Sequence, residues 1–473
     1  MDLSKLRFQN KFWDRAELIE EDFHLKLLQK HPLTLTHPIE QKIQLDEDRI
    51  YIIRGPRQVG KTTLSKKILK NLLKRGIPPK RLFYFAFDIG NIKNDEETAD
   101  LLQTYITFAR ENFPKERLWL FLDEVTYTRD WAVGIKRAYD SGLLVNTTLL
   151  ITGSSSLDLK RGGERLPGRR GLFAHENDLL MLPLSFRSFL ENIYHLANLT
   201  SISKKITPEK AYHLAFKLNY YQEELEKALE EYLLCGGFPL SILSLKSTNQ
   251  IDPSVYFTYL SAFLGDLTRA GKKETYLREI LSVVLNIGQE PLDWLHISQA
   301  AGIGSHHTVR EYIEVMKAFF VLKILYALKN LGGYQISFKK RKKIYFFDPF
   351  LYTLFQSWTK GEVEPYQEAL KLMDSPERKA KLVENLVGIH LFRYYSRLAY
   401  WRNRGEIDFI ALDEDGPKYF EVKYQTQIVS QDKKSLRKVH GGIIISQRTL
   451  AYDHQHNIAI IPAYIFLSLL DVL

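Results

Sequence analysis

The segment from Gly55 to Thr62 constrains this chain more than any other part of it. It reads GPRQVGKT, which fits the pattern G-x-x-x-x-G-K-[ST], and it stands between the apolar run IYIIR and the helix-like run TTLSKKILKNLL. The glycines let the backbone curl so that its N–H groups face an anion, and the positive end of the following helix points at the same place. The segment therefore predicts a phosphate-binding loop at the end of a buried strand.

The residues around this loop predict the fold class. Short apolar runs, rich in β-branched and aromatic residues, alternate with helical segments between residues 49 and 183. Fully apolar strands that alternate with helices are typical of a parallel sheet covered on both faces, and the pattern fades near Pro183. We therefore expect an α/β domain whose strands contain the runs IYIIR, RLFYFAF, LWLFLDEV and TTLLITG.

The loop and its helix predict a binding site for ATP and Mg²⁺. Lys61 is expected to reach the β- and γ-phosphates, and the hydroxyl of Thr62 is expected to be a ligand of Mg²⁺. The complete set of predicted nucleotide-binding residues is Gly55, Pro56, Arg57, Gln58, Val59, Gly60, Lys61, Thr62 and Thr63.

Two acidic residues, Asp123 and Glu124, end the apolar run LWLFLDE. Asp123 is expected to hold Mg²⁺, directly or through water, and Glu124 to orient and deprotonate the attacking water. An acid after Asp123 favours hydrolysis over transfer to a second substrate. Together with the chain length, it argues against a small-molecule kinase.

Two further catalytic candidates come after the run LLITG. Ser154 is predicted to sense the γ-phosphate or the attacking water, with Ser155 as the alternative. The Gly-rich loop LDLKRGGERLPGRRGLF suits an arginine finger supplied by a neighbouring subunit, for which Arg169 is the first choice and Arg165 and Arg170 are alternatives. The competing interpretation is that the serines lie in a polar loop at the end of a strand and the arginines in a solvated basic loop, with no catalytic role.

Composition limits the class of protein. A chain of 473 residues predicts several domains, since one domain usually takes about 100–200 residues. The formal net charge of +10 favours a polyanionic partner. A single cysteine, Cys235, excludes an intramolecular disulfide and a Cys-ligated zinc site. With neither a membrane span nor a secretory signal in the sequence, these features predict a cytoplasmic protein.

Residues 255–345 predict a winged helix that binds DNA. The segment ISQAAGIGSHHTVREYI has the small-residue turn and the amphipathic second helix of a helix-turn-helix, with His306, His307 and Arg310 facing outward. The basic run Lys339–Lys343 suits a phosphate backbone. The alternative is a protein-binding or lid domain with a solvated basic face.

Residues 346–473 contain a set of carboxylates with one lysine. Asp408 lies in one predicted strand and Glu421 and Lys423 in the next, and Glu384 lies on a predicted helix. Because alternate strand residues share a face, pairing of the strands would bring these groups together with Glu406. This is the D…E-x-K arrangement of PD-(D/E)xK nucleases. It predicts Mg²⁺ or Mn²⁺ on Glu384, Asp408 and Glu421, and catalysis by Asp408, Glu421 and Lys423.

The same carboxylates have a second interpretation. A nuclease-like fold can be retained for binding alone, or the acids can form surface ion pairs. Arg402 and Arg404, just before Asp408, are candidates for holding a phosphate backbone in either case.

The order of the motifs resembles that of AAA-type ATPases of archaea and bacteria with a C-terminal restriction-endonuclease-like domain. The resemblance implies an α/β chain with an N-terminal arm (1–48), a P-loop (AAA+) parallel-sheet core (49–190), a helical lid (191–254), a winged helix (255–345) and a PD-(D/E)xK-like α/β domain (346–473). It also implies a homo-oligomer, such as a hexameric ring. The motifs are GPRQVGKTT, FLDEV, LLITGSSS, LPGRR, MLPLSFRSFL, YLLCGGFP, KIYFFDPF and WRNRGEIDFI…YFEVK.

Two functions from different classes are compatible with these features. The first is an ATPase that binds and remodels or processes DNA, with a metal-dependent nuclease site at the C-terminus. The second is an ATP-driven signalling or regulatory switch, whose nuclease-like domain binds DNA or a protein partner without cutting.

Overall fold

The computed structural model describes residues 3–31, 33–153, 156–164, 166, 176–403 and 405–472. The chain divides into two compact units, Met1–Leu182 and Pro183–Leu473. The division falls where the alternating strand and helix pattern was predicted to fade. The bounds of the five predicted segments stay a prediction.

The first unit contains a parallel sheet with helices. Its strands are β1 Ile50–Arg54, β2 Leu82–Ala86, β3 Leu118–Asp123, β4 Thr147–Thr152 and β5 Asp178–Leu180. Its helices are α1 Leu3–Gln9, α2 Phe23–Lys30, α3 Lys61–Lys74, α4 Phe87–Gly90, α5 Asp95–Asn112, α6 Trp131–Asp140 and α7 Ser156–Glu164. Short 3₁₀ turns cover Lys11–Trp13, Ala16–Glu21, Pro38–Lys42, Pro79–Arg81 and Val125–Tyr127.

The strand order in the first unit is β2-β3-β4-β1-β5, and each neighbouring pair is parallel. Every residue of β2, β3 and β4 is buried. Burial on both faces explains why these strands are continuous apolar runs rather than alternating ones. The four predicted strands are confirmed, and the short strand β5 was not predicted.

Side chains of the N-terminal segment cover the edge strand β2. The amide of Asn10 donates to the carbonyl of Tyr84 (2.9 Å) and accepts from its N–H (2.8 Å). The amide of Gln9 accepts from the N–H of Ala86 (2.7 Å) and donates to its carbonyl (3.3 Å). These amides satisfy backbone groups that an edge strand otherwise leaves open to pairing with another chain.

The second unit contains a mixed sheet and many helices. Its strands are β6 Leu322–Leu328, β7 Ile336–Phe346, β8 Leu398–Asn403, β9 Gly405–Asp413, β10 Gly416–Lys423, β11 Gly442–Ser446, β12 Ala451–Asp453 and β13 Ile458–Pro462. Its helices are α8 Phe186–Ile193, α9 Pro208–Leu218, α10 Gln222–Cys235, α11 Pro239–Thr248, α12 Pro253–Arg269, α13 Glu274–Ile287, α14 Trp294–Ala300, α15 His306–Ala318, α16 Pro349–Lys360, α17 Pro365–Asp374, α18 Pro376–Tyr394, α19 Lys434–Arg437 and α20 Ala463–Leu469. 3₁₀ turns cover Asn219–Tyr221 and Ser430–Lys433.

The strand order in the second unit is β12-β13-β11-β10-β9-β8-β6-β7. The pairs β10–β11, β11–β13 and β6–β8 are parallel, and the pairs β6–β7, β8–β9, β9–β10 and β12–β13 are antiparallel. Strand β6 therefore joins the ribbon β6–β7 to the strands that carry Asp408 and Glu421. The basic run Lys339–Lys343 lies inside β7 rather than before it.

Helix α15 ends before the apolar run that follows it. The second helix predicted within ISQAAGIGSHHTVREYI begins at His306 and ends at Ala318. Phe320 then takes a left-handed backbone conformation, with φ of 58°, and the chain continues as β6. The apolar residues 321–328 therefore fill a strand, because a buried run of this length fits a helix or a strand equally well.

No single helix in the described residues combines the length and the apolar character that crossing a membrane requires. The segments Pro208–Cys235 and Pro239–Thr248 meet that test together, with a bend of 117° between them.

Candidate functional site

The phosphate-binding loop comes directly after β1 and leads into α3. Gly60 precedes the helix with a left-handed φ of 104°. At Gly55 the backbone passes so close to the next segment that a Cβ atom would lie 1.9 Å from the carbonyl oxygen of Met181. The motif therefore needs glycine at both ends for backbone reasons, as well as for the approach of a ligand.

The ammonium of Lys61 lies within the curl of this loop. It is buried, and it donates to the carbonyls of Gly55 (3.1 Å) and Pro56 (2.8 Å). Thr62 and Thr63, the next two residues in the first turn of α3, are partly buried. The predicted phosphate-contacting lysine thus lies at the N-terminal end of the helix, where an anion is favoured.

Asp123 ends β3 and is held by two hydroxyl groups. Tyr84 on β2 donates to its Oδ2 at 2.7 Å, and Thr152 on β4 donates to its Oδ1. Thr152 also accepts the backbone N–H of Glu124 (3.4 Å). Burial and the neighbouring Asp123 raise the pKa of Tyr84 well above its usual value, so the phenol stays a donor. The carboxylate orientation is fixed by strands on both sides.

Glu124 comes after Asp123 in a left-handed backbone conformation, with φ of 54°. A non-glycine residue pays about 1–2 kcal/mol for this conformation. Strain of this kind is concentrated at functional sites, where it aims a side chain. Glu124 leaves the strand at the carboxyl edge of the sheet, which it shares with the ends of β1 and β4.

The N-terminal segment is tied to α3 by ion pairs that were not predicted. Lys66 of α3 pairs with Asp22 (2.9 Å), and its Nζ lies 3.3 Å from the centre of the Tyr84 ring. Burial lowers the pKa of Lys66, while Asp22 and Asp123 oppose that effect. Lys70 pairs in the same way with Glu20 (2.6 Å). The spacing of the lysines along α3 could have indicated that they form ion pairs. Their acidic partners are distant in sequence, so the pattern did not identify them.

The chemistry of the first site fits a nucleotide with Mg²⁺. A hydroxyl at the start of α3 and a carboxylate at the end of β3 supply hard oxygen ligands, which Mg²⁺ prefers. A Mg²⁺ ion bound together with a nucleotide would need only one or two oxygen ligands from the protein, because phosphates and water would supply the others. Thr62 and Asp123 remain the predicted ligands.

Several predicted residues lie outside the described part of the chain. These positions stay predictions, and they are Ser154, Ser155, Arg165, Arg169, Arg170 and Arg404.

The C-terminal carboxylates come together on β9 and β10. The two strands are antiparallel, with Phe409 opposite Phe420, so Asp408 and Glu421 are neighbours across the pair. Asp408 accepts the N–H of Val422 (3.0 Å), and the N–H of Asp408 is donated to Glu421 (3.3 Å). Both side chains are buried.

Two lysines lie among these acids, and only one was predicted there. Lys423 is 2.7 Å from Oε1 of Glu421. Lys343 of β7, interpreted from the sequence as part of a DNA-binding run, has its Nζ 2.7 Å from Glu406, 3.2 Å from Asp408 and 3.4 Å from Glu384. Its side chain is 3% exposed. We call Lys343, Glu384, Glu406, Asp408, Glu421 and Lys423 the carboxylate cluster.

The arrangement of the carboxylate cluster shifts the pKa values of Lys343 and Asp408. Burial opposes the charge of Lys343, but Tyr345 and the carboxylates Asp408 and Glu384 together raise the pKa of its ammonium well above the usual value. Burial would raise the pKa of Asp408, but Lys343 and Lys423 bring it below the usual range. The cluster therefore contains a firmly charged Lys343–Asp408 pair.

The predicted Mg²⁺ or Mn²⁺ site does not fit this geometry. Within the described ranges, no group of three or more His, Cys, Asp or Glu side chains is arranged to hold a metal ion. The ammonium of Lys343 lies 3.2 Å from Asp408 and 3.4 Å from Glu384, two of the three carboxylates that were predicted to bind the metal. The metal assignment of Glu384, Asp408 and Glu421 is therefore unsupported.

The structure also changes the interpretation of the basic run Lys339–Lys343, which was predicted to contact DNA. Lys342 and Lys343 are 7% and 3% exposed, so they are not available to a phosphate backbone. Lys340 is exposed, but its ammonium donates to the carbonyls of Leu328 and Lys329 (2.9 Å each). Lys339 and Arg341 remain as exposed cations on alternate positions of β7.

Helices α13, α14 and α15 precede the ribbon β6–β7. Leu292, between α13 and α14, forms an antiparallel bridge with Lys342 through hydrogen bonds of 2.9 and 2.7 Å. At the start of α15, His306, His307 and Arg310 are exposed. The apolar face of the helix is buried, as predicted, at Val309, Ile313 and Met316.

Three family models match separate parts of the chain. Residues 47–190 match a family described as an AAA domain. Residues 226–361 and 379–468 match two domains of unknown function, DUF8612 and DUF4143. The uncharacterized protein MJ1637 of Methanocaldococcus jannaschii is 25% identical over 453 residues, which are 92% of this chain and 88% of that protein.

Two solved structures show a weak similarity to this chain. The Walker-type ATPase PABY2304 of Pyrococcus abyssi is 14% identical with a TM-score of 0.38, and the match covers 65% of this chain and 91% of that one. The RuvB Holliday junction branch migration motor of Thermotoga maritima is 15% identical with a TM-score of 0.25, covering 58% and 81%. At these TM-scores the likeness carries no further conclusion. The family match over residues 47–190, together with the parallel sheet and its phosphate-binding loop, identifies an AAA-type P-loop ATPase domain in the first unit.

Proposed function

We propose that this chain is a Mg²⁺-dependent ATP hydrolase that binds and remodels DNA. The observation that carries the proposal is the arrangement of Lys61, Asp123 and Glu124 at one edge of the parallel sheet. These residues supply a phosphate-binding cation, an oxygen ligand for the metal and a general base, which are the parts that hydrolysis of a nucleoside triphosphate requires.

Lys61 is proposed to bind the β- and γ-phosphates. In the structure its ammonium is hydrogen-bonded to the carbonyls of Gly55 and Pro56. A triphosphate offers the same donor stronger, charged acceptors, so the ammonium exchanges these carbonyls for phosphate oxygens. Thr62 and Asp123 would hold Mg²⁺, which would supply positive charge beside the phosphates.

Glu124 is proposed to orient the attacking water and accept its proton. Its neighbour Asp123 is held by Tyr84 and Thr152, and Thr152 also accepts the N–H of Glu124. Thr152 therefore contacts both the carboxylate of Asp123 and the backbone of Glu124, which links the positions of the two residues.

Two substitutions test the hydrolase. Lys61→Ala should abolish binding of a fluorescent ATP analogue, because the phosphates lose their main cation. Glu124→Gln should bind the analogue like the parent and hydrolyse ATP at least about 100-fold more slowly, the usual contribution of a general base. Hydrolysis by Glu124→Gln at the parent rate would remove Glu124 from the mechanism.

The DNA part of the proposal is supported by α13–α15 and the ribbon β6–β7. Three helices before a two-stranded ribbon, with a third short strand segment at Leu292, are typical of a winged helix. The exposed start of α15 carries His306, His307 and Arg310, where a recognition helix meets a groove. Exposed Lys339 and Arg341 on the ribbon suit phosphate contacts.

A salt series tests this assignment. Lys339→Gln together with Arg341→Gln should weaken DNA binding for all sequences and reduce the slope of log K against log salt by about 2, close to 0.9 for each lost phosphate contact. The matched control, Lys210→Gln with Lys217→Gln, removes two exposed cations of α9 and should leave the slope unchanged. Equal slopes in the test variant and the control would mean that β7 does not contact DNA.

The nuclease residues Asp408, Glu421 and Lys423 are not part of this proposal. Their predicted role depends on a divalent metal, and the ammonium of Lys343 lies 3.2 Å from Asp408. The regulatory switch remains the alternative to DNA remodelling. A parent protein that neither binds DNA nor hydrolyses ATP faster when DNA is added would favour the regulatory switch.

A further inference from the structure

Lys343 is the most deeply buried charged group in the carboxylate cluster. Its Nζ lies 2.7 Å from Glu406, 3.2 Å from Asp408 and 3.4 Å from Glu384. Glu384 comes from α18, and Glu406 and Asp408 come from β9. Lys343 comes from a third element, β7, which is distant from both in sequence. A cation surrounded by carboxylate oxygens from separate elements takes the place that a divalent metal takes in an oxygen-ligand site.

The other polar contacts of the cluster are satisfied without a metal. The phenol of Tyr345 donates to Glu384 at 3.0 Å. Asp408 accepts the N–H of Val422, and Glu421 pairs with Lys423. Each buried carboxylate thus has a donor from the protein, and buried charges need such partners. The four carboxylates already have two ammonium groups beside them.

Lys343 has little freedom to leave. Its residue lies within a sheet ladder, opposite Leu325 of β6, and its ammonium is 5.7 Å from the centre of the Tyr400 ring. Moving the ammonium out would expose uncompensated carboxylates in a buried site. A divalent cation entering beside it would meet a fixed positive charge at close range.

We propose that the ammonium of Lys343 substitutes for a divalent metal in the carboxylate cluster. The chain then holds these acids together without Mg²⁺ or Mn²⁺, and the cluster is a latent metal site that becomes accessible when the charge of Lys343 is removed. A phosphodiester at this surface would meet no metal-activated water. This role of Lys343 is separate from the proposed function, which depends on the first unit and on α13–α15 with the ribbon.

Binding of Mn²⁺ alone tests the proposal. The parent for this experiment is the full chain with Asp123→Asn and no nucleotide, so that the first site cannot contribute. Loss of the free Mn²⁺ signal in electron paramagnetic resonance reports binding. The parent should show no Mn²⁺ binding at the cluster, and Lys343→Met in the same background should bind one Mn²⁺ ion per chain.

Matched variants locate the new site. Lys423→Met removes the neighbouring lysine charge but leaves the ammonium of Lys343 beside Asp408 and Glu384, so it should not create a Mn²⁺ site. Asp408→Asn added to Lys343→Met should abolish the gain. Lys343→Gln, which keeps a polar side chain of similar shape, repeats the test if Lys343→Met does not fold, as judged by circular dichroism.

Two results would overturn the proposal. One is a parent protein that binds one Mn²⁺ and loses it on Asp408→Asn, which would mean that Lys343 moves aside for the metal. The other is a folded Lys343→Met or Lys343→Gln variant that gains no Mn²⁺ affinity. Both results are independent of ATP hydrolysis, because the nucleotide site is disabled throughout.

Discussion

The phenol of Tyr84 donates a 2.7 Å hydrogen bond to Oδ2 of Asp123, and the ammonium of Lys66 lies 3.3 Å from the centre of the same ring. Lys66 is in turn paired with Asp22 of the N-terminal segment. A chain of contacts therefore runs from the N-terminal segment through α3 and β2 to the predicted metal ligand. Tyr84 is a positioning residue in this chain, because it acts through Asp123.

Tyr84→Phe should weaken the apparent affinity for Mg²⁺ in ATP hydrolysis by about 10- to 100-fold, since Asp123 loses the donor that orients it. Binding of the nucleotide without Mg²⁺ should stay unchanged. The control is Tyr51→Phe on β1, which removes a hydroxyl bonded to the backbone of Gln44 rather than to Asp123. If both variants show the Mg²⁺ dependence of the parent, the phenol has no positioning role.

Glu124→Gly should stabilise the first unit while abolishing hydrolysis. Glycine takes the left-handed conformation at this position without the steric cost of a Cβ atom, and the net gain after its larger unfolded-state entropy is about 1 kcal/mol. Glu124→Gln keeps the strain and is the matched variant. Hydrogen exchange in β3 and β4, measured by mass spectrometry, should therefore be slower in Glu124→Gly than in Glu124→Gln. Equal exchange in both would show that the backbone at residue 124 is not strained.

Asn10→Ala should destabilise the first unit by about 2–3 kcal/mol, because it leaves the buried N–H and C=O of Tyr84 without partners. Chemical denaturation measures the change. Asn112→Ala is the control, since its amide donates to the carbonyl of Phe108 at an exposed position and its loss should cost less than about 0.5 kcal/mol. A small effect at Asn10 would mean that water replaces the amide at the sheet edge.

Much of the first unit was predictable, because a strand buried on both faces is a continuous apolar run and the loop motif requires a helix directly after it. The C-terminal apolar run likewise forms strand β13 and helix α20, which meet at Pro462. Strand β5 was missed, since its three residues are too few to form a pattern, and Asp178 is held there by Arg54 at 2.7 Å. Local patterns do not reveal such a long-range pair.

Lys343 shows why the C-terminal cluster was only partly predictable. Alternation along strands placed Asp408, Glu421 and Lys423 correctly on neighbouring strands. The run of cations before Tyr345 was interpreted as a surface that contacts a phosphate backbone, although alternation along β7 directs Lys343 and Tyr345 to the same face. The acids that hold Lys343 come from α18 and β9, so its burial depends on the sheet order, which the sequence pattern does not contain.

His390 provides a pH-dependent test of the second unit. Its Nε2 accepts the backbone N–H of Phe186 (3.0 Å), so its Nδ1 carries the proton and donates to the carbonyl of Leu386 (2.9 Å). Burial, with a contribution from Arg393, lowers the pKa of His390 from 6.5 to about 3. Because the pKa is lower in the folded state, stability from the neutral ring is complete above pH 6.5 and falls as the pH is lowered towards 3.

His390→Gln should remove this dependence, because the amide oxygen can accept the N–H of Phe186 and does not titrate. Between about pH 7.5 and pH 5 the parent should lose about 2 kcal/mol more unfolding free energy than His390→Gln, at about 1.4 kcal/mol for each pH unit below the unfolded pKa. Urea denaturation of both proteins at the two pH values measures this difference, in which the contributions of other titrating groups cancel. Parallel losses in the parent and the variant would mean that the imidazole is protonated in the folded state, and that the hydrogen bond from Phe186 is not maintained in solution.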